Sequence, residues 1–144
     1  MKIRSITLFT HLKRPPASPE IDKLRQAANA ARTAYEAAGF EVQTVRLATD
    51  FLSHIEVEED PLTTVVALEA QCQEAGFEFV SLGPASDAAL SLLPEILSAT
   101  DSIFATCHIV PPKSRTIDGH RVHQAARVIK AAAAIDDGFG NLRF

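Results

Sequence analysis

Apolar and polar positions along this chain follow two rhythms in turn, one repeating every second residue and the other every third or fourth. Lys2 to Phe9 has the first, with Ile3, Ile6, Leu8 and Phe9 set among Arg, Ser and Thr, and it stops at the polar, proline-bearing stretch Thr10 to Pro19. The period then lengthens. Ile21, Leu24, Ala28, Ala31, Tyr35 and Ala38 recur at helical spacing, with Ser18 as N-cap, Pro19 and Glu20 in the first turn and Gly39 as the stop. β-Branched and aromatic residues return between Phe40 and Leu47 as a second strand, and Ala48 to Glu59 reads as an acidic loop or a short irregular helix.

The same alternation continues to the end. Asp60 and Pro61 open a helix whose apolar stripe is Leu62, Val65, Leu68 and Cys72, closed by Gly76. Phe77 to Leu82 is a short apolar strand bounded by Gly83 and Pro84, and Ser86 with Asp87 caps a helical stretch that Pro94 is expected to restart or kink. Ser102 to Ile109 is the fourth strand. After Pro111 and Pro112, Asp118 caps a helix that presents Val122, Ala125, Ala126, Ile129 and Ala133 on one face, and DDGFGNLRF, residues 136–144, begins a fifth strand.

Five strands and four helices in strict alternation, with no two strands close enough for a hairpin, predict an α/β fold with a mostly parallel five-stranded sheet wound by right-handed crossovers. The alternative is an α+β ferredoxin-like sandwich, because the first strand is more polar than one buried on both faces. A length of 144 residues fits one domain, and a chain 47% hydrophobic and 22% charged can build a core rather than stay disordered.

Charge and composition narrow the function. A formal net charge of -4, no Trp and a single Tyr exclude a generic nucleic-acid binder, which needs a basic surface and stacking aromatics. The opening MKIRSITLF is too short and too polar for a signal sequence or a membrane span. Cys72 and Cys107 sit on elements of different type without metal-ligand spacing, so neither a disulfide framework nor a zinc knuckle is expected, and a reduced cytoplasmic protein is the reading.

Candidate chemistry gathers in Asp101 to His123, where an apolar run ends in a thiol and an imidazole and then breaks into a basic loop. In parallel sheets ligands collect at the carboxyl ends of strands, which singles out Thr10 and His11, Ser81, and Cys107 with His108. Cys107 could act as a nucleophile if a base lowered its pKa; strand alternation turns His108 to the other face, so His11 or His120 would have to serve. The same alternation, with Ile103, Ala105 and Ile109, equally suits a small core cysteine. His120 and His123 share a helix face but extend into Arg127 and Lys130, a solvated cationic stripe that offers a metal only two ligands. Lys113, Ser114 and Arg115, with His108 nearby and the amide groups of the helix that begins near Asp118, form the strongest candidate, a site for a small anionic ligand. Asp118 competes for those amides as the cap. No dinucleotide or Walker-type loop is present, since GFG at 138–140 is too short and precedes a strand, and the sequence leaves any cofactor unknown.

DPLTTVVALEAQCQEAGFEFVSLGP, LPEILSATDSIFATCHI, IDGHRVHQAARVIKAAA and GFGNLRF together resemble the DUF711 (UPF0210) family of uncharacterised proteins. The resemblance covers most of residues 1 to 144. It implies a fold similar to the pyruvate formate-lyase-like glycyl radical enzymes, a ten-stranded barrel of two parallel five-stranded halves, of which this chain would be one. It also implies either an amino-terminal portion of a longer fold or a shortened relative, whose exposed edges and apolar surface would favour a homo-oligomer or a partner chain. The glycyl-radical loop and paired catalytic cysteines of such enzymes are missing here, because Cys107 stands between Thr106 and His108.

Overall fold

A computed structural model describes residues 1–12, 18–54, 60–111 and 113–144, and the expected capping by the Ser18 side chain lies outside them, as do parts of the two loops at 10–19 and 48–59. Among the described residues six strands and four α-helices alternate: β1 (Lys2–Ile3), β2 (Ile6–Phe9), α1 (Ser18–Ala37), β3 (Glu41–Val42), β4 (Val45–Ala48), α2 (Pro61–Glu74), β5 (Phe79–Ala85), α3 (Asp87–Ala99), β6 (Ile103–Cys107) and α4 (Gly119–Ala132). The first two expected strands are each split, as β1 and β2 and as β3 and β4. At the break the amide of Ile6 reaches the Thr44 carbonyl and the amide of Gln43 reaches that of Ile3, so the two ladders continue one another.

Every pairing is parallel, in the order β2, β4, β5, β6, with β1 beside β3. The α/β expectation therefore holds, and the ferredoxin-like alternative, which needs antiparallel neighbours, does not. Successive strands are laid down side by side in chain order, so each crossover helix falls on the same side of the sheet. Val45, Leu47, Val80, Leu82, Ile103 and Ala105 turn to that side and join one core with Ile21 and Ala28 of α1, Val65, Leu68 and Cys72 of α2, and Leu90, Leu93, Ile96 and Leu97 of α3.

The caps follow the sequence. Asp60 accepts from the Thr63 amide, Ser86 from that of Ala89, and Asp118 from those of His120 and Arg121. Pro94 neither restarts nor divides α3, which runs unbroken through it. The packing of Leu90, Leu93, Ile96 and Leu97 into the core offsets the lost backbone hydrogen bond.

Two expectations are corrected. The buried stripe of α4 is Ala125, Val128 and Ala132; Val122, Ala126, Ile129 and Ala133 lie outside, because α4 packs on α3 rather than on the sheet and is rotated accordingly. The fifth strand is absent among the described residues: Asp136–Arg143 forms 3-10 turns, with Asp136, Asp137 and Gly138 at positive φ. Gly140 fixes the path, since a Cβ there would collide with the Ala132 carbonyl and the Ile135 side chain.

Two buried charges lock the ends of these elements. The Glu69 carboxylate on α2 accepts from the amides of Asp101 and Ser102 and from the Ser102 hydroxyl, at 2.9, 2.6 and 2.7 Å, and so anchors the entrance to β6. Arg143 donates to the carbonyls of Leu97 and Thr100, which closes the C-terminus of α3 and ties the last turn of the chain to it.

Candidate functional site

Residues that face away from the helices make a different surface. Thr7, Arg46, Ala48, Phe79, Ser81, Phe104 and Thr106 alternate with the core positions and line a trough of about 330 Å³, walled on one side by Leu142, Arg143 and Phe144. Phe79 and Phe104 meet edge to face with centroids 5.4 Å apart, and the Arg46 guanidinium lies over the Phe79 ring at 5.2 Å. Phe9, at the end of the edge strand β2, is 81% exposed.

Beyond the strand ends the trough leads into a second cavity, of about 370 Å³, lined by Phe9, Thr10, His11, Ala48, Thr49, Asp50, Ser81 and Gly83. The register of β2 on β4 pairs Phe9 with Ala48, and the same offset carried two residues on places His11 opposite Asp50. His11 Nδ1 and Asp50 Oδ2 are 2.8 Å apart, while Asp50 Oδ1 accepts from the Leu12 amide at 2.9 Å. Desolvation works against the Asp50 carboxylate, but the hydrogen bonds from His11 and from the Leu12 amide hold its pKa below the ordinary value. His54 Nε2 lies 3.8 Å from the same oxygen. Thr49 is pinned through its amide to the Ser81 carbonyl, and Gly83, at positive φ, lets the chain at Thr49 and Asp50 pass where a Cβ would strike the Thr49 carbonyl.

The candidates of Asp101 to His123 do not meet there. Cys107 ends β6, the opposite edge of the sheet, three strand spacings or roughly 14 Å from the β2 end that carries His11. Its side chain packs with the core on the helix side, and desolvation pushes its thiol up, an effect that Arg121 partly offsets. Cys72 is wholly buried, and burial followed by the charge of Glu69 pushes its thiol up to about 12. Lys113 and Arg115 are exposed, and the Ser114 hydroxyl pairs with Thr116 within the loop. The His120 and Arg121 amides that an anion would use are taken by Asp118 Oδ1, at 2.9 and 3.3 Å. His108 is exposed, and its carbonyl accepts from Arg121, which also pairs with Asp87 at 2.8 Å. His120 and His123 are exposed with Arg127 and Lys130. Among the described residues no group of three or more His, Cys, Asp or Glu side chains could hold a metal ion.

Sequence reasoning reached His11, Thr10 and Ser81 from their places after strands but missed Asp50 and Arg46. For Asp50 a signal was present: it follows the second strand as His11 follows the first. Arg46 carries none, since an arginine within a strand looks the same whether its face is covered or bare.

No helix of the described residues is long and apolar enough to cross a membrane. The family model described as Uncharacterised ACR (DUF711) matches residues 1–144. Comparison with curated proteins finds no match.

Proposed function

The chain belongs to the DUF711 family, and from that premise and the uncovered face of its sheet we propose that it is a half-barrel module that closes by pairing with a second copy of itself. The observation that carries this reading is the second face of the sheet: Phe9 is exposed, Arg46, Phe79 and Phe104 are half-buried, and no α-helix of the described residues packs over them. Parallel sheets are stable when both faces are shielded, and an exposed apolar face with open strand edges favours association. The resemblance to a barrel built from two parallel halves gives the pairing its form. A two-fold copy would set one bare face against the other and present the same residues from both sides.

An anionic ligand at Lys113, Ser114 and Arg115 draws less support, because Asp118 already uses the amides of the helix start. Light scattering on the eluting peak tests the pairing. A mass of twice 15.6 kDa is expected for the wild type, and a return to 15.6 kDa for Phe104→Glu, which puts a charge on the bare face. A wild-type monomer at high concentration would overturn the proposal, as would a dimer that Phe104→Glu leaves intact.

A further inference from the structure

We infer that the cavity at the ends of β2 and β4, beside the middle of β5, binds a small polyhydroxylated compound, a monosaccharide or open-chain polyol, with His11 as its hydrogen-bond acceptor and Asp50 as the residue that orients it. A carboxylate only accepts, so Nδ1 of a neutral His11 carries the hydrogen that points at Asp50, and Nε2 keeps its lone pair for a ligand. Asp50 is itself held: its Oδ1 takes the Leu12 amide, and its carbonyl takes the Ser53 hydroxyl at 2.6 Å. The imidazole therefore has one tautomer and a fixed support although 90% of its side chain is exposed.

The rest of the lining selects the ligand class. Thr10 and Ser81 bring hydroxyls that make no hydrogen bond to another described residue, and such groups can both donate and accept. The exposed Phe9 ring offers an aromatic face, whose negative quadrupole attracts the polarised C–H bonds of a sugar ring. An anion would approach the Asp50 carboxylate, and a purely apolar ligand would leave Asp50, Thr10 and Ser81 desolvated without partners. A compound with many hydroxyls on a compact apolar frame meets both conditions. This inference does not rest on self-association, although a second sheet over the bare face would roof the cavity.

The full 15N-labelled chain titrated with D-ribose, D-glucose and glycerol in turn provides the test, with acetate as the anionic comparison. At least one polyol is expected to shift the amide signals of Phe9, Thr10, His11, Asp50 and Ser81 saturably and to bind more tightly than acetate. His11→Ala, at an exposed position that does not threaten folding, should raise Kd about tenfold, the worth of one good hydrogen bond. Asp50→Asn keeps the shape and removes the charge; it should raise Kd less and change the tautomer ratio read from the His11 ring nitrogens, which a purely structural aspartate would not do. The inference is overturned if none of the three polyols shifts these signals, if the shifts centre on Arg46 and Phe104, if acetate binds most tightly, or if His11→Ala leaves Kd unchanged.

Discussion

The two faces of one sheet, made by alternate residues of the same strands, differ in almost every physical respect. On the helix side Val45, Leu47, Val80, Leu82, Ile103 and Ala105 are all at or below 3% exposure. On the other side Arg46, Phe79, Ser81, Phe104 and Thr106 stay partly or fully open, and their mixture of aromatic, hydroxyl and cationic groups is too varied for a dry core. One face thus carries the stability of the single chain, and the other is the face on which the proposed pairing rests. The difference arises from strand order alone. A sheet whose strands follow chain order receives all its crossovers on one side, so the helices of the described residues leave the other face open.

The largest effects should fall on the covered side. Phe77, 2% exposed, leads into β5, and Phe77→Ala should cost about 3–5 kcal/mol in chemical denaturation through lost burial and the cavity left behind. Glu69→Ala should cost about 2–3 kcal/mol, because the amides of Asp101 and Ser102 and the Ser102 hydroxyl would lose their acceptor inside the protein. A loss below about 1 kcal/mol for Glu69→Ala would mean that water reaches the start of β6 and that the covered face is less closed there than its burial indicates.

The covered face was largely legible beforehand, and the bare face was not. Leu62, Val65, Leu68 and Cys72 were found as one stripe because helical periodicity exposes which side of α2 is apolar. Strands buried on one face or on two both read as apolar runs, so the sequence alone does not separate Phe79 and Phe104 from core positions. The α4 stripe failed for a related reason: alanines at 125, 126 and 133 fit two adjacent faces, and only the packing on α3 decides between them. The end of the chain differs from its expected strand because Phe139, Leu142 and Phe144 suit a strand by composition, whereas positive φ at Asp136 and Asp137 turns the backbone aside. At the site, single residues after strands were visible, but their convergence depended on register, which a sequence does not print. His11 and Asp50 met; His11 and Cys107 did not.

The two cysteines offer a smaller contrast within the helix side. Cys72 titrates in the native chain at about 12 instead of 9.0 because burial disfavours its thiolate. A pKa raised by folding gives stability that is complete below the unfolded value of 9.0 and is lost as pH climbs towards about 12. Stability should therefore fall across that window by up to about 1.4 kcal/mol per pH unit more in the wild type than in Cys72→Ala. An aromatic disulfide reagent should modify half-buried Cys107 in the native state and Cys72 only on unfolding. Equal labelling of both would show that α2 opens far more readily than its packing implies.

The smallest effect is expected on the bare face, and there it is the most informative. Phe104→Ala removes a ring as large as that of Phe77, but from a half-buried position, where it gives up a smaller burial together with its edge contact with Phe79, a pair worth about 0.5–1.5 kcal/mol beyond burial. Measured at a dilution where the chain is a monomer, Phe104→Ala should cost about 1–2 kcal/mol, against about 3–5 for Phe77→Ala. Measured where the chain self-associates, the cost should grow with protein concentration, because linkage then adds the lost association to the lost contact. A Phe104→Ala penalty that equals that of Phe77→Ala and ignores concentration would mean that the bare face is already part of the core of the single chain, and the distinction between the two faces would fall.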